Sequence, residues 1–383
     1  VTHAYEIEKW NGNTFWSDAI SKVMGNLIVA FDILPDGEPL PKGWTLASGH
    51  IVFDVKMTLE RKASWVKDGH KTPDPSWSTF AGVVSRESVR IALTYAALND
   101  IPVCGADIQN AYLQAPSSEM HYIICGEEFG LENVGKRALI RRALYGGKSA
   151  GSDYWRHVRQ AIYEMGFKPC PADPDVWIRA GVKFDETKIW DYVLLYTDDI
   201  LAIMQKPEKF LRNEFAQKFV LKPSPIGEPS QYLGNKVSKV ALDGGVSAWA
   251  FSSSQYVQSA CKNVDDHRVK NGLRPLPACK SPWPSNYRPE ADVTPDLDSM
   301  DASYYQFLIG VLRWIVELGR ADVAIEVSGL ASQMALPRKG HLDAVYQMFA
   351  FLKTKHNSQM VFHPTVPEIN ESCFIKQDWS ASA

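Results

Sequence analysis

The sequence predicts an α+β fold with more than one domain. Runs of β-prone residues, such as 28–34 and 192–204, alternate with segments in which apolar residues recur at helical spacing, such as 303–318. With 383 residues, 45% of them hydrophobic and 22% charged, the chain has an ordinary globular composition. It is long enough for two or more hydrophobic cores.

The first hundred residues are predicted to be rich in strands. Apolar positions and a Gly-Asn stop predict a helix over 14–26, and a Pro-Asp-Gly turn is predicted at 35–37. Ser85 is expected to cap a helix that ends near 99–100. A loop rich in Asp, Pro, Gly and Ser is expected over 67–80. Strands are predicted over 28–34, 50–57, 62–66 and 103–108.

The rest of the chain contains the strongest hairpin signal and several helices. Ser152 is expected to cap a helix that Gly166 closes, and residues 192–204 are predicted as two apolar strands around an acidic turn. A segment with six prolines, 275–295, is predicted to be irregular. Further helices are predicted from 255 onward, over 303–318, from Asp322 to about 334, and over 340–354.

The net charge of −3 gives no overall sign of a polyanionic partner, but basic residues are concentrated in one segment. Either a basic binding surface or a solvated helix face accounts for this concentration. Residues 136–159 contain one acidic residue, Asp153, and the basic residues Lys136, Arg137, Arg141, Arg142, Lys148, Arg156 and Arg159.

The six cysteines form no C-x-x-C pair and show no zinc-ligand spacing, so they are expected to be reduced, mostly buried thiols of an intracellular protein. No apolar run reaches membrane-spanning length, and the first residues lack the order of a signal peptide. The chain is therefore expected to be soluble, without a membrane partner. The sequence carries no signal for an oligomeric state.

The acid pair Asp198-Asp199 lies between two apolar runs. Carboxylates at the mouth of a core are disfavoured unless a cation or strong donors meet them, so a positive group is expected there. The alternative is a hairpin whose acidic tip faces water. Asp107, at the end of the strand 103–108, is either a helix cap or a partner acid. Neighbouring strands lie about 4.8 Å apart, so facing carboxylates on them could share a metal ion.

Residues 138–151 lead from an apolar run into a turn of small residues that contains Gly146, Gly147 and Lys148. The two glycines are consistent with a simple turn. They are equally consistent with a backbone that closely approaches a ligand, with Lys148 beside it for a phosphate.

Five ordered motifs stand out in the sequence. They are Lys62-Ala63, the run from Asp107 to Leu113, the run from Ala143 to Lys148, the tetrad from Tyr196 to Asp199, and the run from Tyr232 to Asn235. They resemble the reverse transcriptase of copia-type LTR retrotransposons, in which the usual forms are K-A-R-L-V, D-V-K-T-A-F-L, A-L-Y-G-L-K, Y-V-D-D and F-L-G. Segments 305–314, 319–322 and 335–337, with His341, resemble the region after the polymerase in the same polyproteins, so the resemblance covers nearly the whole chain.

The resemblance implies a right-hand polymerase followed by a mainly helical connection. The fingers would be 1–84 and 116–146, and the palm, an antiparallel sheet with helices, would be 85–115 and 147–240. The thumb and a proline-rich crossing would be 241–295, and the connection-like segment would be 296–383. Because the polyprotein's RNase H domain has its own acidic cluster and the chain stops at Ala383, no RNase H activity is expected.

The resemblance also assigns roles to individual residues. Asp107, Asp198 and Asp199 would be catalytic and, with the Ile108 carbonyl, would bind two Mg²⁺ ions, or Mn²⁺. Tyr112 would pack under the sugar and exclude a 2′-hydroxyl, although a core aromatic is the plainer alternative. Tyr232, Leu233 and Gly234 would grip the primer. The incoming nucleotide would meet Lys62, Tyr112, Tyr145, Gly146 and Lys148. Nucleic-acid backbone phosphates would meet Arg141, Arg142, Arg156 and Arg159.

The implied partners are an RNA or DNA template with its primer, deoxynucleoside triphosphates, and the remainder of a Gag-Pol polyprotein. The implied location is a cytoplasmic virus-like particle.

Three substitutions depart from the family pattern. Ser64 replaces an Arg, and a serine cannot clamp a triphosphate; Gly147 replaces a Leu and is expected to loosen its turn; Thr197 replaces a Val and keeps a β-branched shape. The sequence thus leaves three hypotheses. They are an active RNA- and DNA-templated polymerase, a decayed copy that only binds primer and template, and an unrelated magnesium-dependent phosphohydrolase.

Overall fold

The computed structural model describes residues 2–55, 60–223, 226–365 and 372. The α-helices in these residues are α1 Thr2–Asn11, α2 Phe15–Leu27, α3 Arg86–Leu98, α4 Ala150–Glu164, α5 Pro207–Asn213, α6 Ser254–Lys270, α7 Ser299–Glu317, α8 Ala324–Ala331 and α9 Lys339–Thr354. The strands are β1 Phe31–Ile33, β2 Thr45–Leu46, β3 Gly49–Val55, β4 Arg61–Lys67, β5 Val103–Asp107, β6 His121–Ile124, β7 Arg137–Ile140, β8 Lys168–Pro169, β9 Val176–Val182, β10 Lys188–Tyr196, β11 Asp199–Ile203, β12 Gln231–Tyr232, β13 Asn235–Ala241, β14 Ser247–Ser252 and β15 Gln359–Phe362.

The chain divides into two compact units. The first contains Val1–Ser85 and Cys104–Gly227, and the second contains Arg86–Val103 and Glu228–Ala383. Residues 86–103 and 228–240, which the sequence assigned to the palm, therefore lie in the second unit. The finer division into fingers, palm, thumb and connection stays a prediction.

The first unit is built on a five-stranded sheet in the order β5-β11-β10-β9-β8. Strands β10 and β11 form the predicted hairpin, in which Leu195 pairs with Ile200 and Tyr196 with Asp199. Their apolar runs are buried because helices α4 and α5 contribute to the same core, in which Val193, Ala202 and Ile162 are fully buried. This core supports the acidic turn.

Two smaller sheets complete the first unit. One has the order β1-β7-β6-β2, and the other is the β3–β4 hairpin. Helix α2 packs against β4. The rings of Phe31 and Trp65 meet edge to face with centroids 5.3 Å apart, and Phe31 and Phe129 do so at 5.0 Å. These contacts join the hairpin to the neighbouring sheet.

The second unit combines helices α3 and α6–α9 with the sheet β12-β13-β14-β15. Its core contains the fully buried Leu312, Val345 and Phe349. The side chain of Asp298 caps α7 by accepting hydrogen bonds from the backbone amides of Met300 and Asp301.

Most predicted elements are present, with bounds that differ by a few residues. The helices predicted over 14–26 and 340–354 correspond to α2 and α9, and the strand over 62–66 is β4. The strand over 28–34 is shorter than predicted, because Ile28–Ala30 form a 3₁₀ turn before β1. In the strand over 50–57, residues 56 and 57 lie outside the described residues.

Two predicted helix caps are wrong. Helix α4 begins at Ala150, so Ser152 lies inside its first turn, where the hydroxyl donates to the Ser149 carbonyl. Asp322 lies in a 3₁₀ turn before α8, and both of its carboxylate oxygens accept hydrogen bonds from the buried Arg320 guanidinium. In both cases a nearer partner takes the polar group that was expected to cap.

Cys104, Cys125 and Cys261 are buried thiols, and Cys170 and Cys279 are partly buried thiols. Cys373 lies outside the described residues. Among the helices that the structure describes, none combines the length and the apolar character needed to cross a lipid bilayer.

Candidate active site

The acidic pair sits in the tight turn between β10 and β11. Thr197, the residue before the pair, has φ 53°, in the left-handed region that β-branched residues rarely adopt. Asp198 and Asp199 are each partly buried. The turn therefore holds the two carboxyl groups at the rim of the core rather than in open solvent.

Asp107 reaches the same place from the neighbouring strand. Strand β5 lies beside β11, and the backbone amide of Ile108 donates to the Asp198 carbonyl at 2.7 Å. The Asp199 carboxyl is hydrogen-bonded to that of Asp107. Because the Asp107 carboxyl faces that of Asp199 and the next helical turn is capped at Asn110, the cap interpretation of Asp107 is wrong. The structure brings the three acids together although they are up to 92 positions apart in the sequence.

The positive group expected at the acids is Lys222, which the sequence reasoning did not identify. Its ammonium Nζ lies 3.1 Å from Asp107 Oδ2 and 3.4 Å from Asp198 Oδ2. Its backbone amide also donates to the Asp107 carbonyl at 2.8 Å. The ammonium therefore bridges two of the three carboxylates.

The acids perturb one another. Burial first, then the hydrogen bond with Asp107 and the charges of Asp107 and Asp198, raise the pKa of Asp199 to about 7, while the charge of Lys222 opposes the rise. Burial would lower the pKa of Lys222, but its hydrogen bond with Asp107 and the charges of Asp107 and Asp198 raise it overall. Asp199 is thus about half protonated near pH 7, and Lys222 stays charged.

Three tyrosines lie near the acids. The rings of Tyr112 and Tyr145 are 4.7 Å apart at their centroids, and those of Tyr112 and Tyr154 are 5.7 Å apart. Burial, followed by the negative charge of Asp198, raises the pKa of each phenol. The hydroxyl of Tyr154 donates to the Thr197 carbonyl at 2.9 Å. The sequence reasoning missed Tyr154, although a tyrosine in the buried face of a helix is a signal that its hydroxyl has a partner.

Gly146 packs against the chain's own backbone. It has φ 83°, and a Cβ at this position would lie 2.1 Å from the Lys67 carbonyl oxygen. The amide of Gly69 donates to the Gly146 carbonyl at 3.1 Å, and that of Lys67 donates to the Tyr145 carbonyl at 2.8 Å. The close approach that the glycine permits is thus to residues 67–69. The next residue, Gly147, donates to the Leu144 carbonyl at 3.0 Å, so the turn is closed rather than loose.

The predicted nucleotide-binding lysines differ in their surroundings. Lys148 Nζ donates to the Thr72 carbonyl at 2.7 Å and to Asp74 Oδ1 at 2.6 Å. Lys62 is exposed on β4, where it pairs across the hairpin with Asp54. Ser64, two residues further on, lies on the same face of the strand.

A buried charged cluster lies at the base of the β3–β4 hairpin. The ammonium of Lys67 contacts the carboxylate of Glu119 and lies 2.7 Å from His121 Nδ1, and all three side chains are buried. The Ser149 amide donates to the other carboxylate oxygen of Glu119. Although burial opposes it, hydrogen bonds from His121 and Lys67 lower the pKa of Glu119 to about 2.

Each arginine predicted to contact nucleic-acid phosphates also has a partner in the protein. Such contacts hold the guanidinium groups in place, but partly exposed ion pairs of this kind are weak. Arg141 bonds to Asp32 at 2.9 Å, Arg142 to the Gln114 carbonyl at 3.3 Å, Arg156 to Asp153 at 2.6 Å, and Arg159 to Asp175 at 3.4 Å.

The predicted primer-gripping residues form a tight hairpin turn of the second unit. Tyr232 is buried at the end of β12, and Leu233 and Gly234 have φ 50° and 79° before β13 begins at Asn235. The turn expected from the sequence is therefore present.

The family model described as reverse transcriptase (RNA-dependent DNA polymerase) matches residues 37–266. This match covers more than half of the sequence, so the chain belongs to the reverse transcriptase family. Together with the mixed helices and sheets, the match confirms the α+β polymerase fold expected from the resemblance.

The curated relatives are copia-type elements, as the motifs indicated. The Retrovirus-related Pol polyprotein from transposon RE1 of Arabidopsis thaliana is 24% identical over 360 residues, which are 91% of this chain and 22% of that protein. The corresponding protein from transposon TNT 1-94 of Nicotiana tabacum is 23% identical, over 72% of this chain and 20% of its own length. The Transposon Ty1-MR1 Gag-Pol polyprotein of Saccharomyces cerevisiae is 20% identical, over 82% of this chain and 18% of its length. The chain thus spans about a fifth of these relatives.

Among solved structures, a foamy viral protease-reverse transcriptase in complex with double-stranded DNA matches with a TM-score of 0.44 and 11% identity. The match covers 88% of this chain and 48% of that chain. A likeness at this level adds nothing to the family match.

Proposed function

We propose that this chain is an RNA- and DNA-directed DNA polymerase that adds deoxynucleotides to a primer 3′-hydroxyl. The observation that carries the proposal is the meeting of the Asp107, Asp198 and Asp199 carboxyl groups at adjacent strands of one sheet, in a chain of the reverse transcriptase family.

The donor set suits a hard divalent cation such as Mg²⁺ or Mn²⁺, which prefers carboxylate and carbonyl oxygens. Within the described residues, no group of three or more His, Cys, Asp or Glu side chains is arranged to hold an ion as it stands. Asp107 and Asp198 instead share the Lys222 ammonium, which supports their suitability for a cation. We assign the ion-binding role to the three acids and the Ile108 carbonyl. Two bound ions would lower the pKa of the attacking hydroxyl and neutralise the leaving pyrophosphate.

The residues of this chain would position the reactants. Strand β5 and the β10–β11 turn fix the carboxyl groups. The Lys222 ammonium would move away from these carboxyl groups so that divalent cations could bind there. Tyr112, held between Tyr145 and Tyr154, would close the space beside the sugar C2′ and so favour deoxynucleotides. Lys62 and the turn at Gly146 would border the incoming nucleotide. Lys148 would exchange its bond with the exposed Asp74 for one with a phosphate.

The primer and template would be held without regard to sequence. Tyr232, Leu233 and Gly234 would contact the primer end, and Arg141, Arg142, Arg156 and Arg159 would contact backbone phosphates. Because the relatives are Pol and Gag-Pol polyproteins, we infer that the chain acts within such a polyprotein, in a cytoplasmic virus-like particle.

One observation supports a second candidate, a decayed copy that binds primer and template but turns over slowly. Ser64 lies on the exposed face of β4 two residues from Lys62, where the family's arginine would supply a second cation for the triphosphate. The serine supplies no positive charge beside Lys62.

Primer extension on a homopolymer RNA template tests both candidates. Wild-type protein should extend the primer, and Asp198→Asn should abolish extension while retaining primer-template binding. Asp36→Asn, an identical change at an exposed turn of the same unit, should behave as wild type. Binding without extension by the wild type would favour the decayed copy. Phosphate release without a template would refute both candidates.

A further inference from the structure

The turn that carries the catalytic acids is held in an unfavourable backbone conformation. A β-branched residue in the left-handed region tends to relax toward extended or right-handed backbone, and Thr197 occupies that region at φ 53°. Relaxation of Thr197 would rotate the following peptide and with it the side chain of Asp198. The pairing of Tyr196 with Asp199 imposes this geometry on the two-residue turn, and contacts from outside the turn oppose its relaxation.

Two hydrogen bonds from other elements fix the peptide groups on either side of Asp198. The Tyr154 hydroxyl, from α4, donates to the Thr197 carbonyl at 2.9 Å. The Ile108 amide, just after β5, donates to the Asp198 carbonyl at 2.7 Å. Because both flanking peptide groups are fixed, the direction of the Asp198 Cα–Cβ bond is fixed as well.

Tyr154 is a rigid donor. It is 3% exposed and lies on α4, whose Val158 and Ile162 are also buried in the core of the first unit. Its ring packs edge to face against Tyr112. Burial, followed by the charge of Asp198, raises the pKa of its phenol, so the hydroxyl stays protonated and donates throughout the neutral range.

We propose that Tyr154 is a positioning residue for the polymerase reaction, because its hydroxyl holds Thr197 in the left-handed conformation that orients Asp198. This inference rests on the proposed function. Tyr154 is only 3% exposed and its hydroxyl donates to the turn itself, so its effect on the reaction would be exerted through the turn. A tyrosine serving only as a core aromatic would be replaceable by phenylalanine without consequence.

The test compares Tyr154→Phe, Thr197→Gly and the double variant with wild type. Tyr163→Phe is the matched control, because Tyr163 is an exposed tyrosine of the same helix. Two measurements are made on each protein. One is hydrogen–deuterium exchange of the peptide covering 192–204, and the other is steady-state primer extension with separate kcat and KM for the nucleotide.

Tyr154→Phe should speed exchange of the 192–204 peptide and lower kcat about 5- to 10-fold, with KM changed less than about twofold, as expected for loss of one hydrogen bond that acts on geometry. Tyr163→Phe should change neither. Glycine adopts the left-handed region without strain, so in the Thr197→Gly background the same Tyr154→Phe change should lower kcat less than about twofold.

Unchanged exchange in Tyr154→Phe, or an equal kcat loss in both Thr197 backgrounds, would overturn the inference. If the wild type extends no primer, the proposed function fails. The exchange measurement then still decides whether Tyr154 holds the turn, because it requires no activity.

Discussion

Replacing Lys222 with methionine should destabilise the ion-free protein and increase its response to divalent cations. The methionine keeps the apolar stem of the side chain, up to the position of Cε, but removes the ammonium that lies 3.1 Å from Asp107 and 3.4 Å from Asp198. Without the ammonium the carboxylates repel one another. An added ion would then enter without displacing a competing positive charge.

The size of the effect follows from distance and exposure. Two unit charges 4 Å apart attract by about 1 kcal/mol in water and about 4 kcal/mol at the effective dielectric constant near a protein surface. The three side chains are 40–41% exposed, so solvent screening reduces each pair to about 1 kcal/mol. Loss of both pairs should lower the free energy of unfolding by about 2 kcal/mol. For a unit of this size the loss corresponds to a melting temperature about 4–8 °C lower.

The assay is thermal unfolding at pH 7.5 in a chelator and then in a Mn²⁺ titration. The variant should melt lower than wild type in the chelator and should gain about 2 kcal/mol more stability from saturating Mn²⁺. Lys209→Met, at an exposed lysine of α5, is the control and should change neither quantity. Equal melting temperatures of Lys222→Met and wild type in the chelator, with equal Mn²⁺ responses, would refute the role of Lys222 as a counter-ion.

Three further predictions concern the same unit. The pKa of Asp199 is raised to about 7, from a value near 4 in the unfolded chain. The stability that the protonated carboxyl contributes to the folded state is therefore fully present below about pH 4 and is lost as the pH rises toward 7. Melting curves in a chelator should show a loss of about 2 kcal/mol over this range, after allowance for partial exposure, and Asp199→Asn should remove it. Gly146→Ala should cost about 3 kcal/mol in chemical unfolding, since the new Cβ would clash with the Lys67 carbonyl. Gly135→Ala, at a similar φ of 81° but in open space, should cost only about 1 kcal/mol, and equal costs would contradict the clash. Tyr112→Ala should raise the relative efficiency of ribonucleotide incorporation at least about tenfold, measured as the ratio of kcat/KM values, and an unchanged ratio would exclude Tyr112 from sugar selection.

The acidic hairpin could be predicted because its signal is local. Two apolar runs separated by polar residues define strands and a turn, and the structure contains β10 and β11 where expected. That Asp107 lies beside the hairpin could be predicted only as one of two alternatives. Neither segment contains a local signal that identifies its neighbouring strand.

Lys222 could not be predicted for a different reason. It contacts Asp107 across 115 positions, and nothing in its own segment distinguishes it from any solvated lysine. The chemistry at the acids predicted that a positive group was needed, but not which one. The wrong caps at Ser152 and Asp322 have a similar origin. When a polar side chain has two possible hydrogen-bond partners, the sequence does not show which one it binds.

The buried cluster of Lys67, Glu119 and His121 determines where the β3–β4 hairpin can bend. Separation of Lys67 from Glu119 would leave an uncompensated charge in the protein interior, at a cost of about 3–5 kcal/mol. Thermal motion does not readily supply that energy, so the root of the hairpin stays attached to the start of β6. Bending of the hairpin is therefore confined to the tip side of Lys67, which is the part of the hairpin that carries Lys62.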